Sequence, residues 1–142
     1  MGYEELVAGA APVMAKILIV DDSASSRAII SILLGYQDHL ILEAGDGNAG
    51  LGIVRAERPD LIILDLDMPG MNGAAFMQQL RADPVSAATR VIFYTGSFEK
   101  PFTKTLAASC GVRTVLSKPT EVDALITAVD GELKALAYER QD

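Results

Sequence analysis

The chain has 142 residues, half of them hydrophobic and 22% charged, with a formal net charge of −7 and a single cysteine. That length and composition describe one domain able to bury a core without staples, and exclude a disordered chain or an internal disulfide framework. The acidic balance argues against a broad footprint on nucleic acid or on an anionic membrane, both of which need clustered Lys and Arg.

Residues 1–15 are read as a flexible extension. "LVAGAAPVMA", Leu6 to Ala15, approaches a signal h-region in length, but Glu4 and Glu5 precede it where a signal carries positive charge, and Pro12 interrupts it. No apolar run reaches the roughly 20 residues that a membrane span requires, so no membrane partner is expected. The domain itself is expected over residues 16–138, with a short tail over 139–142. Cys110, in "AASCGV", is read as a small packed hydrophobe, and a lone cysteine fits a reducing, cytoplasmic setting.

Strand and helix signals then alternate. "KILIV" (Lys16 to Val20), "LILEA" (Leu40 to Ala44), "DLIIL" (Asp60 to Leu64), "RVIFYT" (Arg90 to Thr95) and "RTVLS" (Arg113 to Ser117) are five strand candidates. The third is apolar almost throughout, which suits a central strand of a parallel sheet covered on both faces. A first helix is expected from near Ser23. Asp46 can cap a second, softened by Gly50 and Gly52. A third should start at Asn72 or Gly73, with Phe76, Met77 and Leu80 inward, and end at "ADP", Ala82 to Pro84. The last shows a stripe of Val122, Leu125, Ile126, Val129, Leu133 and Leu136, with Glu121, Asp123, Asp130 and Lys134 outside it. Five such alternations, joined by right-handed crossovers, give a doubly wound α/β fold with helices on both faces of one sheet.

In such a fold a site lies beyond the carboxyl ends of the strands. The first strand runs into Asp21 and Asp22, the third into Asp65 and Asp67, the fourth into Thr95, and the fifth into Lys118. Each has a bland reading by itself. The first two acids can cap the helix that follows, Thr95 can satisfy a backbone group, and Lys118-Pro119 can be a loop before a helix. Their conjunction at one edge is harder to explain that way. Acids gathered together repel, and a hard cation such as Mg²⁺, which takes oxygen ligands and keeps several waters, compensates them. Zinc lacks ligands here, because His39 is the only histidine and lies at the opposite end of the second strand, where it is read as a turn residue. An Asp beside Mg²⁺ and a lysine is placed to act as a nucleophile towards phosphorus.

"ILIVDDS" at Ile17 to Ser23, "PDLIILDLDMPGMNG" at Pro59 to Gly73, "VIFYTG" at Val91 to Gly96 and "LSKP" at Leu116 to Pro119 resemble the receiver domain of two-component response regulators. They occur in that family's order and spacing, and the resemblance covers about Lys16 to Ala137. It implies a flavodoxin-like sheet of strand order 2-1-3-4-5. It also implies that Asp65 accepts a phosphoryl group from a histidine kinase or phosphotransfer protein in a Mg²⁺-dependent reaction. Asp22, with Asp21, would bind the metal beside Asp65, and the backbone carbonyl of Asp67 would complete the shell. Lys118 would contact the phosphoryl oxygens, and Thr95 would move to hydrogen-bond them. The surface of the fourth helix, fifth strand and fifth helix would carry the readout to a downstream protein and is where a homodimer would form. The protein would be a switch that catalyses only its own phosphorylation and dephosphorylation.

The chain departs from the family at Val115, where many receivers carry a Tyr or Phe that turns inward on activation, so coupling through Thr95 would need another relay. Gly96 leaves open space beside the acceptor, and Ser97 and Asp67 occupy positions that tune hydrolysis in the family. Two other readings stay open: a receiver-fold docking domain that is never phosphorylated, and a phosphatase of the haloacid dehalogenase type, suggested by Asp65-Leu66-Asp67. The second fits poorly, because that family places its nucleophile on the first strand.

Overall fold

The computed structural model describes residues 14–141. Five strands and five helices alternate: β1 (Lys16–Val20), α1 (Ala24–Gly35), β2 (Leu40–Ala44), α2 (Gly47–Glu57), β3 (Leu61–Leu64), α3 (Gly73–Ala82), β4 (Arg90–Thr95), α4 (Pro101–Cys110), β5 (Thr114–Ser117) and α5 (Val122–Arg140). All strand pairs are parallel, and the spatial order is β2-β1-β3-β4-β5. The doubly wound sheet expected from the alternation is therefore the observed one.

Burial explains the order. β3 is buried at every position and β1 at every position after Lys16, so these two take the centre, whereas β2 keeps Leu40 half exposed and sits at an edge. The period-two alternation of a strand then divides the core. Leu18, Val20, Ile62, Leu64 and Phe93 point to the side covered by Leu51 and Val54 of α2, Phe76, Met77 and Leu80 of α3, and Ala107 of α4. Ile17, Ile19, Leu61, Ile63 and Ile92 point to the other, covered by Ile30 and Leu34 of α1 and Leu125 and Val129 of α5.

Local signals set the helix starts. Ser23 accepts from the Ser26 N–H, Asp46 from Ala49 and Asn72 from Ala75, each satisfying a donor that the first turn leaves open. Asp46 is the cap expected from the sequence, and α3 starts at Gly73, one of the two expected starts, with Asn72 as its cap. α3 stops at Ala82 because Asp83, held extended, precedes Pro84.

Several details differ from the expectations. The flexible extension expected over residues 1–15 lies outside the described residues up to residue 13. Ala15, by contrast, is 1% exposed and already bonded, its N–H donating to His39 Nδ1 at 3.2 Å and its carbonyl accepting from the Leu40 N–H at 2.9 Å. β3 and β5 each begin one residue later than expected, and Asp60, just ahead of β3, turns its carboxylate onto the first N–H of β1, 2.9 Å away. Helix α5 continues through residues 139 and 140, where Glu139 pairs with Arg90, and Arg140 with Asp60 at 3.0 Å. Its inner stripe is also less apolar. Val122 is 46% exposed, while Glu132 is buried, pairing with Arg90 at 2.6 Å and accepting from the Thr114 hydroxyl at 2.7 Å. A charge so placed is tolerated only when it is paired and hydrogen-bonded. Among the described residues, no helix is long and apolar enough to cross a membrane.

Candidate functional site

Strand register assembles the site. Val20 pairs with Leu64, so Asp21 and Asp65, each the next residue, stand level at the carboxyl edge of the two central strands. Backbone bonds fix both: the Asp21 N–H donates to the Ala44 carbonyl at 3.1 Å and the Asp65 N–H to the Val20 carbonyl at 3.0 Å. Thr95 pairs with Ser117, and the Lys118 N–H donates to the Thr95 carbonyl at 3.0 Å, bringing the lysine up from the neighbouring strand end. The Lys118–Pro119 peptide is cis.

The side chains converge accordingly. Asp21, Asp22 and Asp65 each offer a carboxylate oxygen within 4.8 Å of the others. Asp21 and Asp65 are buried and Asp22 is exposed, so the group opens to solvent on one side. Lys118 Nζ lies 2.6 Å from Asp21 Oδ2 and 3.6 Å from Asp65 Oδ2. It also stands 5.7 Å above the centre of the Tyr94 ring. The helix cap is Ser23, whose N–H donates to Asp21 Oδ1 at 2.9 Å, so the acids are not spent on capping α1. Arg27 holds the strand end from below, donating to the Asp21 carbonyl at 2.6 Å.

Burial pushes the Asp65 carboxyl above its usual pKa; the Asp67 N–H, 3.1 Å from Oδ1, and the Lys118 charge work against this, while the charges of Asp21 and Asp67 add to it. Burial pulls the Lys118 ammonium down, but the hydrogen bond to Asp21 and the charges of Asp65 and Asp21 more than reverse it, and its pKa is raised. The site is thus short of positive charge, with three carboxylates around one ammonium.

The turn after Asp65 depends on two glycines. Gly70 takes φ +78°, a left-handed conformation that favours glycine, and Gly73 packs so closely that a Cβ would stand 2.8 Å from the Leu66 Cα. The turn carries Asp67 across to β4. There Asp67 Oδ2 accepts from the Thr95 hydroxyl at 3.1 Å and the Ser97 hydroxyl at 2.5 Å. Its carboxylate therefore stands apart from the group formed by the other three acids. A Cβ on Gly96 would meet nothing within 4 Å, in line with the open space expected there.

All six residues singled out in the sequence, Asp21, Asp22, Asp65, Asp67, Thr95 and Lys118, stand at this one edge. Two features escaped the sequence. His39, read as a turn residue, is an acceptor for the entry to β1, with its pKa lowered by burial against the opposing charges of Asp130 and Asp38. The contact of Asp67 with Ser97 spans 30 residues and leaves no periodic trace. Val115 is half buried against the core. Cys110 packs against the same core, as a small hydrophobe should.

Comparison with known proteins places this geometry in a family. The model of the response regulator receiver domain matches residues 17–130. The chain is 33% identical over 120 residues to protein PilH of Pseudomonas aeruginosa, covering 84% of this chain and 98% of that one. It is 32% identical over 114 residues to sporulation initiation phosphotransferase F of Bacillus subtilis, covering 80% and 90% of the two chains. Among solved structures, the chemotaxis response regulator CheY4 of Vibrio cholerae superposes with a TM-score of 0.78 at 30% identity, covering 84% of this chain and 99% of that one. The chain belongs to the receiver-domain family of two-component response regulators, a family of signalling domains.

Proposed function

We propose that this receiver takes a phosphoryl group from a phosphohistidine onto Asp65 in a Mg²⁺-dependent reaction and works as a phosphorylation-controlled switch. The observation that carries the reading is the meeting of Asp21, Asp22 and Asp65 within 4.8 Å of one another, with Lys118 3.6 Å from Asp65. The donor set suits a hard cation: all three ligands are carboxylates, and the exposed side leaves room for the waters that Mg²⁺ retains. Asp21, Asp22 and Asp65 would hold the ion, with the Asp67 carbonyl as a fourth ligand by family resemblance. When bound, Mg²⁺ supplies positive charge to the oxygens of the transferring group.

The rest falls to the chain. An Asp65 carboxylate oxygen forms the new O–P bond as the P–N bond breaks and its electron pair returns to the imidazole ring. Lys118 shares the charge on the equatorial oxygens, and the Tyr94 ring stabilises that ammonium from beneath. The Thr95 hydroxyl then donates to a phosphoryl oxygen. The donor is expected to be a sensor histidine kinase or a phosphotransfer protein, because relatives of this chain occur inside such kinases. One is sensor histidine kinase AruS of Pseudomonas aeruginosa, 32% identical over 116 residues that make up 12% of its length. The surface of α4, β5 and α5 is the proposed readout face and site of any homodimer, with a cytoplasmic setting and no direct nucleic-acid contact.

The test is intact mass after incubation with Mg²⁺ and a small phosphodonor. Wild type should gain one phosphoryl group that is lost on standing, Asp65→Asn should gain none, and chelation should abolish the gain. A wild-type chain that binds Mg²⁺ but never gains the mass would overturn this reading in favour of a docking domain, and sustained phosphoester turnover would point to a phosphatase.

A further inference from the structure

A hydroxyl has one proton to give, and the Thr95 proton is already engaged. Thr95 Oγ1 donates to Asp67 Oδ2 at 3.1 Å and accepts from the Ser97 N–H at 3.1 Å. The same carboxylate oxygen takes the Ser97 hydroxyl at 2.5 Å. From Ser97 the contacts continue into α4: the Ser97 carbonyl accepts from the Thr103 hydroxyl at 2.6 Å and from the Lys100 N–H at 3.0 Å. Thr103 is fully buried, and Lys100, the cap residue of α4, makes no side-chain cap bond. The start of α4 is therefore held by its hydrogen bonds back to Ser97, and Ser97 is held by Asp67.

We propose that Asp67 is a positioning residue: its carboxylate latches Thr95 and Ser97 in the unphosphorylated protein, and a phosphoryl group on Asp65 opens the latch by taking the Thr95 proton. This rests on the phosphoacceptor reading of Asp65. Two forces act together. The phosphoryl group offers stronger acceptor oxygens to Thr95 than a shared carboxylate oxygen does, and its charge of nearly −2 repels the Asp67 carboxylate. Asp67 is near enough to feel that charge, because its own N–H already donates to Asp65 Oδ1 at 3.1 Å. Once Thr95 turns away, Ser97 loses the companion hydroxyl that fixed Asp67, and the anchor at the head of α4 loosens. The state of the site thus reaches α4 through three hydroxyls and one carboxylate, with no aromatic rotamer in the path.

The experiment is amide hydrogen exchange on the full chain, unphosphorylated and in Mg²⁺-free buffer, beside intact-mass measurement of phosphorylation. Asp67→Ala keeps the backbone at residue 67 and removes the latch. Amides from Ser97 to Thr103 should then exchange about tenfold faster than in wild type, while β1 and β3 stay protected and show that the fold is intact. Asp67→Asn, which retains a side-chain oxygen acceptor, should restore most of the protection. Phosphorylated wild type should show the same loosening, and phosphorylated Asp67→Ala little more. Unchanged exchange over Ser97 to Thr103 in Asp67→Ala, in a protein whose wild type does gain the phosphoryl mass, refutes the latch alone. Faster exchange in the variant of a protein that never gains the mass refutes the phosphoacceptor reading, and the phosphorylation-opened latch with it.

Discussion

Replacing Gly50 and Gly52 of α2 by alanine, one at a time, should move stability in opposite directions. Each substitution removes the conformational freedom of glycine from a helix interior, a gain of about 1 kcal/mol. A Cβ at Gly52 meets nothing within 4 Å, so Gly52→Ala should keep the whole gain. For a chain of this size that is a rise of about 2–4 °C in Tm. At Gly50 the new Cβ would stand 3.0 Å from Val20 Cγ2 and 3.1 Å from Phe76 Cε2. Val20 and Phe76 are both 0% exposed and have nowhere to move without disturbing their neighbours. Overpacking of that kind costs about 1–3 kcal/mol, which offsets the helix gain and leaves a net loss of up to about 2 kcal/mol. Val20 directly precedes Asp21, so the strain falls on the strand end that carries the acids, and Gly50→Ala should also weaken Mg²⁺ binding. Urea denaturation, with midpoints compared at constant slope, measures the first effect, and Mg²⁺ titration by calorimetry measures the second. If Gly50→Ala proved as stabilising as Gly52→Ala, with Mg²⁺ affinity unchanged, the packing of α2 against the floor of the site would be wrong.

Two further outcomes are expected. Because burial raises the Asp65 pKa above its ordinary 3.8, the folded chain holds that proton more tightly than the unfolded chain, and the ionised carboxylate opposes folding. That opposition is absent below about pH 4 and complete once the pH passes the raised value. In Mg²⁺-free buffer Asp65→Asn should therefore be more stable than wild type at neutral pH, with the difference closing as the pH falls towards 4; a difference independent of pH would contradict the assignment. Glu132→Ala should cost about 3–5 kcal/mol in urea denaturation, the range for stranding one partner of a buried pair. It leaves the Arg90 guanidinium, whose side chain is 11% exposed and whose Nε has no partner, with Glu139 alone. The double variant Arg90→Met with Glu132→Leu should recover most of the loss, and a single-variant loss below about 1 kcal/mol would mean that the pair is effectively solvated.

The sequence by itself determined the alternation of elements, the burial of the third strand on both faces, the Asp46 cap, the start of α3 at Asn72 or Gly73, and the polar residue types closing each strand. These are local properties: an unbroken apolar run suits a strand covered on both faces, and a cap needs a side chain only three residues from its donor. The same logic made Asp21, Asp22, Asp65, Asp67, Thr95 and Lys118 legible as a set once the strands were taken as parallel. Contacts between distant residues were decided only by the tertiary structure. Lys118 reaches Asp21 across 97 residues because all strands run parallel, so the end of β5, beyond β4 in the strand order, opens on the same carboxyl edge as the ends of β1 and β3. Glu132 falls on the inner face of α5 because Arg90 and Thr114 meet it there, a pairing that no hydrophobic period encodes. Gly50 looked like a soft point in a helix and is a close approach to Val20 and Phe76. Asp67 was legible as a strand-end acid expected to use its backbone carbonyl, but the destination of its carboxylate was not: the turn through Gly70 and Gly73 carries it over to Thr95 and Ser97. Propensity and periodicity act along the chain, whereas the partner of a buried polar group depends on which distant segment the fold lays beside it.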